Sequence, residues 1–496
     1  MTRAPINWIT AVAFSAVALF VHVSPALAQR AFVDPAPPAV VDADGVDPAA
    51  VATPELTFHA APKPLPAGAA VSDWPCFLGP THNGFNTETK LLQKFPANGL
   101  AAVWEYKKGE GYAQPVISNN RLILFHRVGD DEAIDCLDPS TGKRFWRDAY
   151  PTHYVDRYGY CNGPRSTPVI SGDWVYSIGA EGEFRCVNLK TGKLRWRRSL
   201  LADFKLQQNF FGTGASPLID NGYIIVNVGA PHGPCVAAFD PATGKMVWGA
   251  GDQWGPSYAS PVPATLHGKH RVLVFAGGES RPPTGGLMCI DPTNGHVDFS
   301  FPWRGNRRES VNASSTVVIG DAVFISECYG TGGTLLDIDD HFSPKQRWIN
   351  PNFGTHFMTA IPKDGYLYGV DGHGPEDAFL CCIDQKTGKE IWRKQPEWEE
   401  QLSLRNGGQR KITLGTYRCN LLMIDGRCLC LGEFGHLLWL DLNPVGYKEL
   451  DRTWLFPAGE TWTPPVVSHG LLYVCQNALG SHREPMRMVC YDLRSP

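Results

Sequence analysis

The sequence predicts an all-β fold, an eight-bladed β-propeller of four-stranded antiparallel sheets. Three observations predict it. First, one pattern of four short strands joined by turns recurs at about 53 residues per copy, a length that suits a propeller blade and is too long for a leucine-rich or β-helix repeat. Second, the 496 residues include 51 Gly, 40 Pro and 15 Trp, many turn formers alongside β-forming aromatics. Third, the last copy lacks its final strand, while an orphan strand with a Trp precedes the first copy, so the two ends complete one sheet. Closure of this kind removes unpaired edges. Seven blades follow instead if the seventh copy, the most degenerate, is misread.

Taken from the start, residues 1–28 read as a signal peptide. Arg3 gives the positive start, Ile9 to Val23 an apolar stretch, and Ala26-Leu27-Ala28 a small-x-small cleavage site. A protein exported to the periplasm or secreted is expected, with no span in the mature chain. Residues 29–71, rich in Ala, Pro and Asp, read as a disordered tether. Residues 72–496 form a single propeller domain. Its composition, 43% hydrophobic and 19% charged, is ordinary for a globular core. A net charge of −4 with no basic block excludes nucleic acid as an expected partner.

The second copy shows the repeat best. Ser166-Thr167-Pro168-Val169-Ile170 opens a strand, Trp174 to Ile178 is the second, Cys186 to Leu189 the third, and Leu194-Arg195-Trp196 the fourth after the turn Lys190-Thr191-Gly192-Lys193. Other copies open at Pro115, Pro217 and Pro261, near Ser315 and Ala360, at about Leu421, and at Pro465. The strand from Leu100 to Tyr106, carrying Trp104, closes the ring.

The pattern Asp-x-x-Thr-Gly-Lys-x-x-Trp, complete in Asp138 to Trp146, Asp240 to Trp248 and Asp384 to Trp392, resembles the tryptophan-docking motif of pyrroloquinoline-quinone-type propellers. In that family the Trp packs on the Gly-containing turn of the next blade. The resemblance thus implies docking roles for Trp104, Trp146, Trp196, Trp248, Trp348, Trp392 and Trp454. Asp73-Trp74-Pro75-Cys76-Phe77-Leu78-Gly79-Pro80 is similar to the start of exported bacterial propellers related to an outer-membrane-protein assembly factor, and to the N-terminal segment of quinoprotein alcohol dehydrogenases. One scaffold therefore serves two functional classes.

A quinoprotein dehydrogenase implies a stacked Trp floor, a vicinal disulfide lid, calcium held by Glu and Asn, and an Asp base. The one vicinal pair, Cys381-Cys382, falls on a third strand, where adjacent side chains point to opposite faces. Cys136, Cys186, Cys289, Cys382 and Cys490 share one repeat slot and read as small core residues. Cys76 and Cys161 are the expected disulfide candidates outside it. The acidic residues Glu110, Asp252, Glu309 and Glu460 lie near the mouth without metal-site spacing.

In a propeller the loop from one blade's last strand to the next blade's first lies on the ligand face. Three residues before each strand-opening position, the ring reads Tyr112, Arg165, Gly214, Tyr258, Asn312, Phe357, Arg418 and Trp462. Aromatics and Arg are enriched at binding hot spots, and the two arginines suit a carboxylate. The loops 149–165, 301–309 and 393–417 enlarge this face. The expectation is a monomeric, non-catalytic binding propeller at the cell envelope, with another envelope protein as partner and no cofactor. The alternative is a dehydrogenase of alcohols or sugars using pyrroloquinoline quinone and Ca2+.

Overall fold

The computed structural model describes residues 31–307, 310–403, 407–480 and 484–496. The expected leader over 1–28, together with Arg308, Glu309 and Arg405, lies outside the described residues. Residues Ala31–Pro496 form one compact unit. Eight four-stranded antiparallel sheets follow one another around a ring, with a five-residue helix, Leu200–Phe204, as the named helix. Among the described residues no helix is long and apolar enough to cross a membrane.

Blade 1 comprises Val116–Ser118, Arg121–Val128, Asp131–Leu137 and Arg144–Pro151, and the later blades repeat this plan. Blade 8 combines Val466–Ser468, Leu471–Gln476 and Arg487–Asp492 with the N-terminal strand Ala102–Lys107. Trp104 pairs there with Cys490. The ring is closed by both ends of the chain.

The repeated turn explains its own sequence. The Asp138 carboxylate accepts the backbone N–H groups of Ser140 and Thr141, both at 2.9 Å. Gly142 adopts φ +68°, a region that costs Gly nothing. A Cβ at Gly142 would also lie 2.8 Å from Trp104 of the preceding blade. Gly192, Gly244, Gly295 and Gly388 meet Trp146, Trp196, Trp248 and Trp348 in the same way. Each docked indole donates to a carbonyl of the neighbouring turn: Trp104 to Pro139, Trp146 to Leu189, Trp196 to Pro241, Trp248 to Pro292, Trp348 to Gln385 and Trp392 to Asn443, at 2.9 to 3.1 Å. Phe299 takes the position in blade 4, opposite Cys289.

Trp454 differs. Its indole donates to Phe434 within its own blade, 3.0 Å, and stacks on His436 at 4.6 Å. Register explains the difference. The docking residue sits opposite the third-strand residue before a bulge: Trp146 opposite Cys136, Trp196 opposite Cys186, Trp392 opposite Cys382. In blade 7 that pair is inverted, with Trp439 on the third strand and Asp451 opposite. Phe95 fills the gap, stacking on Trp439 at 6.3 Å and donating its N–H to Asp451 at 2.5 Å.

The expected tether is laid along the outer edges of four blades. Asp34 accepts from Arg198 Nη2 at 2.8 Å and from Met246 N at 2.7 Å. Val41 N donates to Arg195 O, Val51 exchanges two backbone bonds with Arg144, and Leu56–Phe58 pairs with the closing strand of blade 8. Its order comes from backbone pairing to otherwise unpaired edges, so hydrophobic periodicity gave no sign of it. The segment 393–417, expected as a loop, carries a hairpin of Glu397–Ser403 and Gln409–Gly415. The fourteen cysteines, Cys76 and Cys161 included, are free thiols. Cys136, Cys186, Cys289 and Cys490 fill the core opposite docked rings.

Candidate functional site

The mouth loops are held by a relay of small hydroxyls just before the strand-opening positions. Gln114 N donates to Thr167 Oγ1 at 3.0 Å, Thr167 N to Ser216 Oγ at 2.9 Å, and Ser216 N to Ser260 Oγ at 3.0 Å. The side chains three residues back are thereby turned toward the axis. Tyr112, Arg165, Gly214, Tyr258, Phe357, Arg418 and Trp462 line one cup of about 200 Å³. The eighth residue of the expected ring, Asn312, lies behind the wall. It is fully buried and donates Nδ2–H to Ala276 O at 2.7 Å, while its neighbours Val311 and Ala313 reach the cup.

The floor comes from the segment before the first blade. Trp74 exchanges two backbone bonds with Ile117, Ile170 N donates to Pro75 O, and Phe85–Asn86 adds a parallel strand to the inner edge of blade 7. This places residues 74 to 86 against the inner strands of blades 1, 2 and 7, and Phe77 lines the cup.

The cup joins residues that the ring pattern missed. Tyr160 and Phe211 belong to the same inter-blade loops, a few positions earlier. Tyr329 and His373 sit after the second strands of blades 5 and 6, Ala322–Glu327 and Tyr366–Asp371. Second strands run toward the mouth, so these loops share the face with the inter-blade loops. That topological rule was available from the repeat.

The aromatic lining is continuous. Tyr112 and Trp462 stack at 5.5 Å and 28°; Phe357 and Tyr160 tilt against Trp462 at 5.5 and 6.0 Å. The two arginines were expected to grip a ligand carboxylate. Each already holds one from its own chain. Arg165 pairs with Asp156 and lies 5.4 Å over the Tyr112 ring. Arg418 pairs with Glu433, Nε to Oε1 at 3.0 Å, and lies 4.4 Å over Trp462. Glu433 also accepts the Trp462 indole N–H at 3.1 Å. Tyr112 OH donates to Glu460 at 2.7 Å. Burial pushes the Glu460 carboxyl above its usual range. Burial and then the Glu460 charge push the Tyr112 phenol up. Tyr329 OH meets His356 Nε2 at 3.2 Å, and burial lowers His356 to about 3, with the charges of His373 and Arg418 adding to the effect.

The wall's two arginines are already paired where a quinone's carboxylates would need them. The cationic side chains of the wall are neutralised in place. Glu110 is used by Asn162 N at 2.6 Å, and Asn312 is turned away. Among the described residues no three His, Cys, Asp or Glu gather to hold a cation. Cys381 and Cys382 enter different core clusters of blade 6 and its neighbours, away from the cup.

Several proteins share this architecture. The chain is 25% identical over 331 residues to the dehydrogenase subunit of a quinone alcohol dehydrogenase of Gluconobacter oxydans, covering 60% of this chain and 41% of that one. It is 24% identical over 288 residues to the outer membrane protein assembly factor BamB of Burkholderia pseudomallei, covering 51% of this chain and 71% of that one. The chain thus spans less than half the length of the dehydrogenase subunit. The quinohemoprotein alcohol dehydrogenase of Comamonas testosteroni superposes with a TM-score of 0.58 at 14% identity, over 87% of this chain and 82% of that one, which shows the shared fold. The family model described as outer membrane protein assembly factor BamB matches residues 130–394, more than half of the sequence, and the chain belongs to that family.

Proposed function

We propose that the chain is a non-catalytic binding propeller, exported and monomeric, that docks another protein of the cell envelope at its mouth. The observation that carries this reading is the self-contained cup. Its aromatic wall is accessible, while its arginines and acids are consumed by one another. Such a surface has hot-spot composition, with its arginines paired to carboxylates of the same chain. Family membership supports an envelope partner, since the related protein from Burkholderia pseudomallei is named as an assembly factor.

A second reading, a dehydrogenase using pyrroloquinoline quinone and Ca2+, is favoured by one observation, the 25% identity to a quinone alcohol dehydrogenase subunit. Titration of the mature protein with the quinone and calcium separates the two. The binding reading expects no change in melting temperature and no dye reduction with ethanol or glucose. Micromolar binding with a raised melting temperature and alcohol-dependent dye reduction overturn it.

A further inference from the structure

We propose that the cup is an anchor site for one aromatic side chain carried on an exposed loop or terminus of a protein partner. The inference rests on the docking reading above and adds the chemistry of what enters.

Size sets the first limit. The cup encloses about 200 Å³, and an apolar cavity of about 150 Å³ holds one benzene ring. One side-chain ring fits, and a fused polycyclic group exceeds the space. Polarity sets the second. Arg165 and Arg418 hold Asp156 and Glu433, Tyr112 OH is given to Glu460, and Tyr258 OH accepts Phe211 N–H at 2.7 Å. A carboxylate entering this wall gives up hydration for arginines that are already engaged, at about 1–3 kcal/mol for each group left unsatisfied, and a sugar finds His373 and the Ser216 and Ser260 hydroxyls among the few remaining polar groups of the lining. An aromatic ring needs none.

Ring geometry favours the same occupant. Trp462, Tyr112, Phe357 and Tyr160 lie 5.5 to 6.0 Å apart in stacked and tilted pairs, the spacing at which a further ring packs edge to face. The rim then points to a polypeptide rather than a free small molecule. Tyr158 and Tyr160 are 52% and 54% exposed, and Val155 is 68% exposed. Tyr158 lies 5.5 Å from Phe211 in the cup wall. Apolar surface therefore runs from the rim into the cup, and residues flanking the anchor lie along it.

Saturation-transfer NMR on the mature protein tests the proposal, with N-acetylphenylalanine amide and glucose as separate probes and the peptide Gly-Gly-Phe-Gly-Gly as competitor. The expected result is saturation of the phenyl protons, displacement by the peptide and no transfer to glucose. Ala313→Phe fills the cup and abolishes the signal; a melting curve checks that this variant is folded. Tyr160→Ala, on the rim, weakens the peptide at least fivefold and the amide less. Undiminished phenyl saturation in folded Ala313→Phe, or transfer to glucose in preference, overturns the proposal. If neither the amide nor the quinone with calcium binds, the aromatic anchor falls while the docking reading stands. If the quinone with calcium displaces the amide and raises the melting temperature, both fall.

Discussion

Trp196 is 1% exposed, wedged on Gly244 of the next blade and bonded to Pro241. Removing a ring from such a place leaves a cavity that the flanking sheets close only in part. Trp196→Ala is expected to cost about 3–5 kcal/mol, read as a lower denaturant midpoint at unchanged slope. Trp454→Ala, which cuts no inter-blade contact of this kind, costs less in the same assay. Buried imidazoles give a second expectation. Burial lowers His82 and His436 to about 4 and His356 to about 3, from an ordinary 6.5. The unfolded chain therefore binds more protons than the folded one between pH 6.5 and these values. Stability is fully present above pH 6.5 and declines as pH falls toward 4, and melting curves across that range check the direction.

At the scale of elements, the edge segment 31–58 and the docked turns behave differently as sequence. The turn is legible because one local motif sets everything about it: Asp138 caps, Gly142 takes positive φ, and the indole ends the strand. The edge segment is not, because its order depends on backbone groups of strands far away in sequence, such as Arg144 and Arg195. The cup was legible in part for the same reason. Seven ring positions followed from the repeat, whereas Tyr329 and His373 required the strand direction, and the pairing of Arg165 with Asp156 required the folded loop. Deleting residues 31–60 is expected to leave the blades folded but less stable. Hydrogen exchange at the Arg144 amide, which donates to Val51 O at 2.9 Å, should quicken sharply in that variant, while Cys136 in the blade interior keeps its protection. Equal protection of Arg144 with and without the segment contradicts the edge pairing.

At the scale of the molecule, stability is shared around a closed ring. Six blades lean on the next through a docked indole, and a hydroxyl relay ties blades 1 to 4 at the mouth. Deleting residues 487–496 removes the strand that links Leu471–Gln476 to Ala102–Lys107. That change opens the sheet between two blades and exposes two new edges. The expected outcome is loss of the cooperative transition and self-association on size exclusion, rather than a local fray at the C-terminus.

The closing contact also has a cost measured in time. Glu105 and Arg487 pair across the seam although they lie 382 residues apart. At a synthesis rate of roughly 5–20 residues per second, the first strand waits roughly 20–80 s for its partner to be made. Throughout that interval the edge that will receive Arg487–Asp492 stays unpaired, while Leu56–Phe58 is already present for the other edge. The early part of the chain is expected to be open to wrong edge-to-edge pairing for as long as the ring stays open.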